Sequence, residues 1–170
     1  MRATVLQILL WISVIAWGSW FGGTLYQMLV VVPMWSSSPP ESVREFFQGT
    51  DYNRYIVRFF GPPFMGIRTL PALLALIVGW YSPAHRYSLL LTVACLAFTV
   101  IFTFAYIYPI NDVLFIKAGG DHSPDEIRQM ATNWIFADRV RFAVGIVALL
   151  GMLWAFKQPI PPVDGIGTGN

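Results

Sequence analysis

The chain has 170 residues, 56% of them hydrophobic and 16% aromatic, with only 12% charged. An ordinary soluble domain carries about 25% charged residues, so a fold bathed in water cannot hide this much apolar surface, and a membrane protein is indicated. Eleven Lys and Arg against nine Asp and Glu give a net charge of +2. That is no nucleic-acid footprint, and the lone Cys95 excludes an internal disulfide or a thiolate metal cage.

The first apolar run, Val5 to Val32, would reach ~42 Å as a helix, against ~30 Å of hydrocarbon core. It must tilt or protrude. It is also far longer than the about 7–15 apolar residues of a signal peptide, and reads as an uncleaved first span. Within it, Gly18-Ser19-Trp20-Phe21-Gly22-Gly23 has the glycine spacing of close helix packing. The Gly18/Gly22 face can serve the bundle, a second copy of the chain or a membrane-complex partner.

The next stretch, Pro33 to Gly61, is polar. Ser38-Pro39-Pro40-Glu41 carries a capping-box signature and predicts a short helix with Val43, Phe46 and Phe47 on one face. That helix either lies in the membrane interface or folds over a pocket as a lid. A second span covers about 62–81 and is interrupted by Arg68 and Pro71. Residues 82–86 only turn the chain. The third span, about 87–110, has no charge and aligns Thr92, Cys95, Thr99, Thr103 and Tyr106 on one stripe. Pro109 should end or kink it, with Asn111 turned toward the bundle.

After a loop holding Gly119-Gly120-Asp121-His122, Ser123-Pro124-Asp125-Glu126 predicts a capped helix start. That helix should enter the membrane near Phe136 and form the fourth span, about 136–156. The expected architecture is all-α: one domain over 1–157, a four-helix transmembrane bundle with a short interfacial helix in the first loop. Residues 158–170, rich in Pro and Gly, are expected to be disordered. The protein should be multi-pass in the cell membrane, with the lipid bilayer as its first partner. A count of Lys and Arg puts the two larger loops inside. Their acids and embedded arginines weigh against that count, and the orientation stays open.

Four spans bring the end of span one, the start of two, the end of three and the start of four to the same membrane face. There lie Tyr26 and Gln27, Arg68, Asn111 and Asp112, then Asp138, Arg139 and Arg141. Charges at membrane depth cost several kcal/mol unless they face the bundle and find partners. A polar pocket is therefore expected to open toward the larger loops. Trp134, Asp138, Arg141 and Gly145 recur at helical spacing and share a face. Asp138 and Arg141 are either a structural ion pair or an acid/base group beside a cation for an anionic oxygen. Arg68 either supplies a second cation or snorkels to the interface. Tyr26 and Trp134 complete the expected cavity, with Trp134 at its rim. His85 and His122 fall at opposite ends, and no HExxH or His-rich run occurs, so no metal site and no cofactor are expected.

These residues resemble the anthrone oxygenase-like family of small four-span membrane proteins. The likeness lies in Gly22-Gly23-Thr24-Leu25-Tyr26 running to Pro33, and in Pro109-Ile110-Asn111-Asp112-Val113-Leu114, similar to a Pro-x-Asn-x-x-Leu motif. It continues in Trp134, Asp138 and Arg141, similar to a Trp-x3-His-x2-Arg motif whose histidine position holds Asp138 here. The resemblance implies oxidation of a lipophilic tricyclic anthrone by molecular oxygen as co-substrate. In that reading Asn111 holds a substrate oxygen, Asp138 removes a proton, and Arg141 or Arg68 stabilises the anion. The competing reading is a non-catalytic accessory subunit of a membrane complex.

Overall fold

The computed structural model describes residues 1–160, apart from the side chains of Asn53 and Val57. The tail expected to be disordered thus falls mostly outside the described residues. Helix α1 (Arg2–Tyr26) passes through a π turn, Gln27–Val31, into α2 (Val32–Ser36). Two short helices follow, α3 (Glu41–Gly49) and α4 (Tyr52–Phe60), before α5 (Pro62–Gly79). Helix α6 (Pro83–Phe102) leads through a π turn, Thr103–Ile107, into α7 (Tyr108–Asn111) and a further π turn, Asp112–Ile116. The last helix, α8, runs from Pro124 to Lys157.

Among the described residues, four helices are long and apolar enough to cross a membrane: Arg2–Ser36, Arg54–Gly79, Pro83–Ile116 and Pro124–Lys157. The protein is an all-α four-helix bundle. α1 packs on α5 and α8, and α6 packs on α5 and α8, so α1 and α6 occupy opposite corners.

Two of the spans outlast the limits read from their apolar runs, and both use the same device. Pro33 and Pro109 each stand two residues after a π turn. Proline lacks the amide hydrogen and its ring collides with the carbonyl four residues back. A π turn shifts that carbonyl and lets the helix continue. Span three therefore neither ends at Pro109 nor stops short of Asn111. It stops only beyond Ile116, where Ala118, Gly119 and Gly120 all take positive φ (47°, 89° and 49°) and reverse the chain.

The expected capping box at Ser123 forms: its Oγ accepts from the Glu126 amide, and Glu126 Oε2 accepts from the Ser123 amide at 2.8 Å. The one read at Ser38 does not. Two prolines carry the chain past it, Pro40 takes the cap position, and the Ser38 amide donates instead to Ser42 Oγ at 3.1 Å. Ser42 Oγ in turn donates to the Trp35 carbonyl at 2.7 Å, tying α3 back to the end of span one. Val43 and Phe47 are buried on that tie, so α3 caps the bundle.

The interior divides into two apolar clusters. One, at the end of the larger loops, gathers Val31, Trp35, Val43, Phe47, Ile107, Phe115 and Trp134. The other, toward the termini, gathers Leu6, Leu10, Trp17, Trp20, Ala72, Leu89, Ala148 and Met152. Gly145 of α8 marks the upper edge of this second cluster: a Cβ there would collide with the Trp20 ring.

Candidate functional site

Along α8 the two clusters are separated by Asp138 and Arg141. Asp138 is 1% exposed, and its Oδ1 accepts from Arg141 Nη2. Arg141 Nη1 reaches Thr103 Oγ1, at 3.5 Å, on the π turn that precedes Pro109. That turn thus helps to hold the polar layer as well as to accommodate a proline.

Arg68 of α5 enters the same layer. It is 4% exposed and lies over the faces of Trp17 and Trp20, 4.8 and 4.7 Å from their ring centres. Among the described residues it makes no hydrogen bond and no ion pair. Arg68 does not snorkel; it stands in the bundle as a cation held by aromatic faces. It shares with Arg141, Thr103, Trp20, Met65 and three phenylalanines (Phe59, Phe60 and Phe64) a cavity of about 20 Å³. That space admits roughly one water molecule.

Several buried polar atoms here lack a partner among the described residues: Gln27 Oε1, Thr24 Oγ1, Tyr52 OH, Arg68 Nε, Asp138 Oδ2 and Arg141 Nε. Buried polar atoms are nearly always paired, so such a concentration is unusual. Tyr52 faces the layer from α4. Its phenol is pushed above the ordinary range, chiefly by burial and further by the Asp138 carboxylate and Tyr26. Over the layer lies an aromatic cap in which Trp35, Phe47, Phe115 and Trp134 meet edge to face or stacked.

Of the residues singled out in the sequence, Arg141 pairs with Asp138 and shares the cavity with Arg68, whereas Asp138 itself does not line that cavity. Trp134 sits one turn above, in the cap, and its Nε1 donates to Asn111 Oδ1 at 2.5 Å. Asn111 is half-buried and faces the bundle, but it serves the cap and does not line the cavity. Tyr26 is 61% exposed and lies beside the layer. Its neighbour Gln27, which opens the π turn, is the residue that points inward. Tyr52 escaped notice because its loop carries no spanning pattern; only an aromatic hydroxyl beside Phe46 and Phe47 hinted at it. Among the described residues no three His, Cys, Asp or Glu side chains gather in a metal-binding group.

A model of the anthrone oxygenase family matches residues 53–151. The chain belongs to the anthrone oxygenase family. The matched stretch contains Arg68, Asn111, Trp134, Asp138 and Arg141, and leaves out Tyr26, Gln27 and Tyr52. Comparison with curated proteins and with solved structures found no match. In this anthrone oxygenase-family chain the polar layer is therefore built mainly from the family region, and closed by residues of spans and loops that precede it.

Proposed function

We propose that the polar layer is a small-molecule site in the cell membrane, where a flat, lipophilic phenolic or anthrone-like substrate is oxidised by molecular oxygen. The observation that carries the reading is the imbalance of the layer. Asp138 pairs with Arg141 through one carboxylate oxygen, and among the described residues its other oxygen is buried without a partner and Arg68 pairs with no anion. A fold selected only for stability has little use for such a set.

In this reading Asp138 takes a proton from the ring CH₂ of the anthrone, the electron pair passing to the carbonyl oxygen. The resulting oxyanion pairs with Arg68, whose charge is already fixed by Trp17 and Trp20. The carbanionic carbon adds oxygen, the peroxide takes up a proton, and loss of water leaves the quinone. One oxygen molecule is consumed and one water released for each CH₂ that becomes C=O, with no cofactor required by that balance. Arg141 orients Asp138, and Trp134 with Asn111 roofs the site. The resting cavity of about 20 Å³ is too small for a tricycle. Phe59, Phe60 and Phe64 must move to admit it.

The test is oxygen uptake and quinone absorbance on adding an anthrone to the purified protein in liposomes, beside Asp138→Asn. Turnover by the wild type, lost in the variant, supports the reading. No protein-dependent uptake overturns it. The accessory-subunit reading is favoured by a separate observation: Gly18 and Gly22 face open space. A stoichiometric protein partner retained on mild extraction, without turnover, would support it instead.

A further inference from the structure

At the opposite end of the bundle from the polar layer, α6 and α8 enclose a groove of about 630 Å³. It exists because the two helices approach closely along one line and diverge outside it. Gly151 lets α8 come so near that a Cβ there would stand 2.7 Å from Thr92 Oγ1, and that hydroxyl donates to the Ala148 carbonyl at 3.2 Å. Buried Ser88 and Gly151 form the floor; exposed Tyr87, Leu150 and Trp154 form the walls. The Ser88 hydroxyl already donates to the carbonyls of Ala84 and His85, at 2.9 and 3.1 Å, so the floor asks nothing polar of an occupant. A hydrocarbon chain satisfies it.

The mouth is different. Arg86 Nη2 donates to the Tyr87 hydroxyl at 3.2 Å, which holds the guanidinium at the rim, and the same group lies over Trp80 and Tyr87. Lys157 stands three residues beyond Trp154, on the same side of α8, and is exposed. No side chain caps the N-terminus of α6, which opens at this mouth. Residues 1–20, 75–95 and 150–160 contain no Asp or Glu, so these cations meet no acid from any described element at this end. An acyl-sized apolar groove with an unopposed cationic rim has the polarity of one lipid class.

We propose that the α6/α8 groove is a binding site for a single anionic phospholipid, one acyl chain between the helices and its phosphate at Arg86 and Lys157. This site is independent of the oxidation reading. The test is native mass spectrometry of the detergent-released protein with phosphatidylglycerol or phosphatidylcholine of the same acyl chains. The expected result is one retained phosphatidylglycerol, with affinity falling about fivefold for each cation removed in Arg86→Gln and Lys157→Gln. Ala84→Phe, at an exposed lining position, should exclude both lipids while circular dichroism stays unchanged. Equal retention of the two lipids, or indifference to Arg86→Gln and Lys157→Gln, overturns the proposal. So does dimerisation that Ala84→Phe abolishes, since a second copy would then fill the groove.

Discussion

Trp134 donates its indole N–H to Asn111 across the start of the fourth span and the end of the third, at 2.5 Å. With the contact of Arg141 to Thr103 deeper in the bundle, the bond fixes the register between these two helices. It also sets the roof over Asp138, one turn below on α8. Asn111→Ala leaves a buried indole donor without an acceptor, and a loss of about 1–2 kcal/mol is expected. Trp134→Phe removes donor and need together but opens space in the cap. Thermal unfolding in detergent, with the double variant as the fourth corner of a cycle, separates the bond from the packing.

Asp138 and Arg141 form a buried pair, with side chains 2% and 11% exposed. Asp138→Ala strands Arg141 as an uncompensated buried cation, and a loss of about 3–5 kcal/mol is expected. Adding Arg141→Met to that variant should recover most of it. A double variant no more stable than Asp138→Ala would show that the pair contributes nothing as a pair.

Arg68 makes the opposite prediction. Stacking on two indoles contributes up to about 2 kcal/mol, whereas a cation without an anionic partner inside a span costs up to about 2.5–3.5 kcal/mol on insertion scales. Arg68→Met is therefore expected to raise the melting temperature while lowering anthrone turnover about 100-fold, as loss of an oxyanion partner does. Stability and activity falling together would place Arg68 in the scaffold.

Tyr52 gives the fold a pH signature outside the spans. Its phenol titrates above the ordinary 10.0 because burial disfavours the phenolate. The contribution is present below about pH 10 and is lost as pH rises beyond it, since the unfolded chain then ionises first. Stability measured from about pH 8 to pH 11 should fall more steeply for the wild type than for Tyr52→Phe. Parallel curves would remove Tyr52 from the buried layer.

The glycines divide by position. A Cβ at Gly145 collides with Trp20, so Gly145→Val is expected to cost about 1–3 kcal/mol. Gly22 has nothing within 4 Å, and Gly22→Val should stay within about 0.5 kcal/mol in the isolated chain. Loss of a co-purifying partner in that variant would assign the Gly18/Gly22 face to an interface.

Charge-poor runs of spanning length determined by themselves that the chain crosses a membrane four times as helices, because no other backbone arrangement satisfies its amides in lipid without closing a barrel. The same cost argument located Arg68, Asp138 and Arg141, which face inward, but not Arg139, which is exposed on α8. What the sequence leaves open is rotation about each helix axis. Between Tyr26 and Gln27 the choice of which side chain points inward depends on a π turn, and that turn answers a proline several residues later. Whether Pro109 ends a helix or is carried through depends on the same device. The placement of Tyr52 over the layer, and of Asn111 in the cap instead of the cavity, depends on how α3, α4 and the aromatic cluster settle on the bundle. Those are contacts between residues far apart in the chain. No local pattern encodes them, so only the tertiary structure decided them.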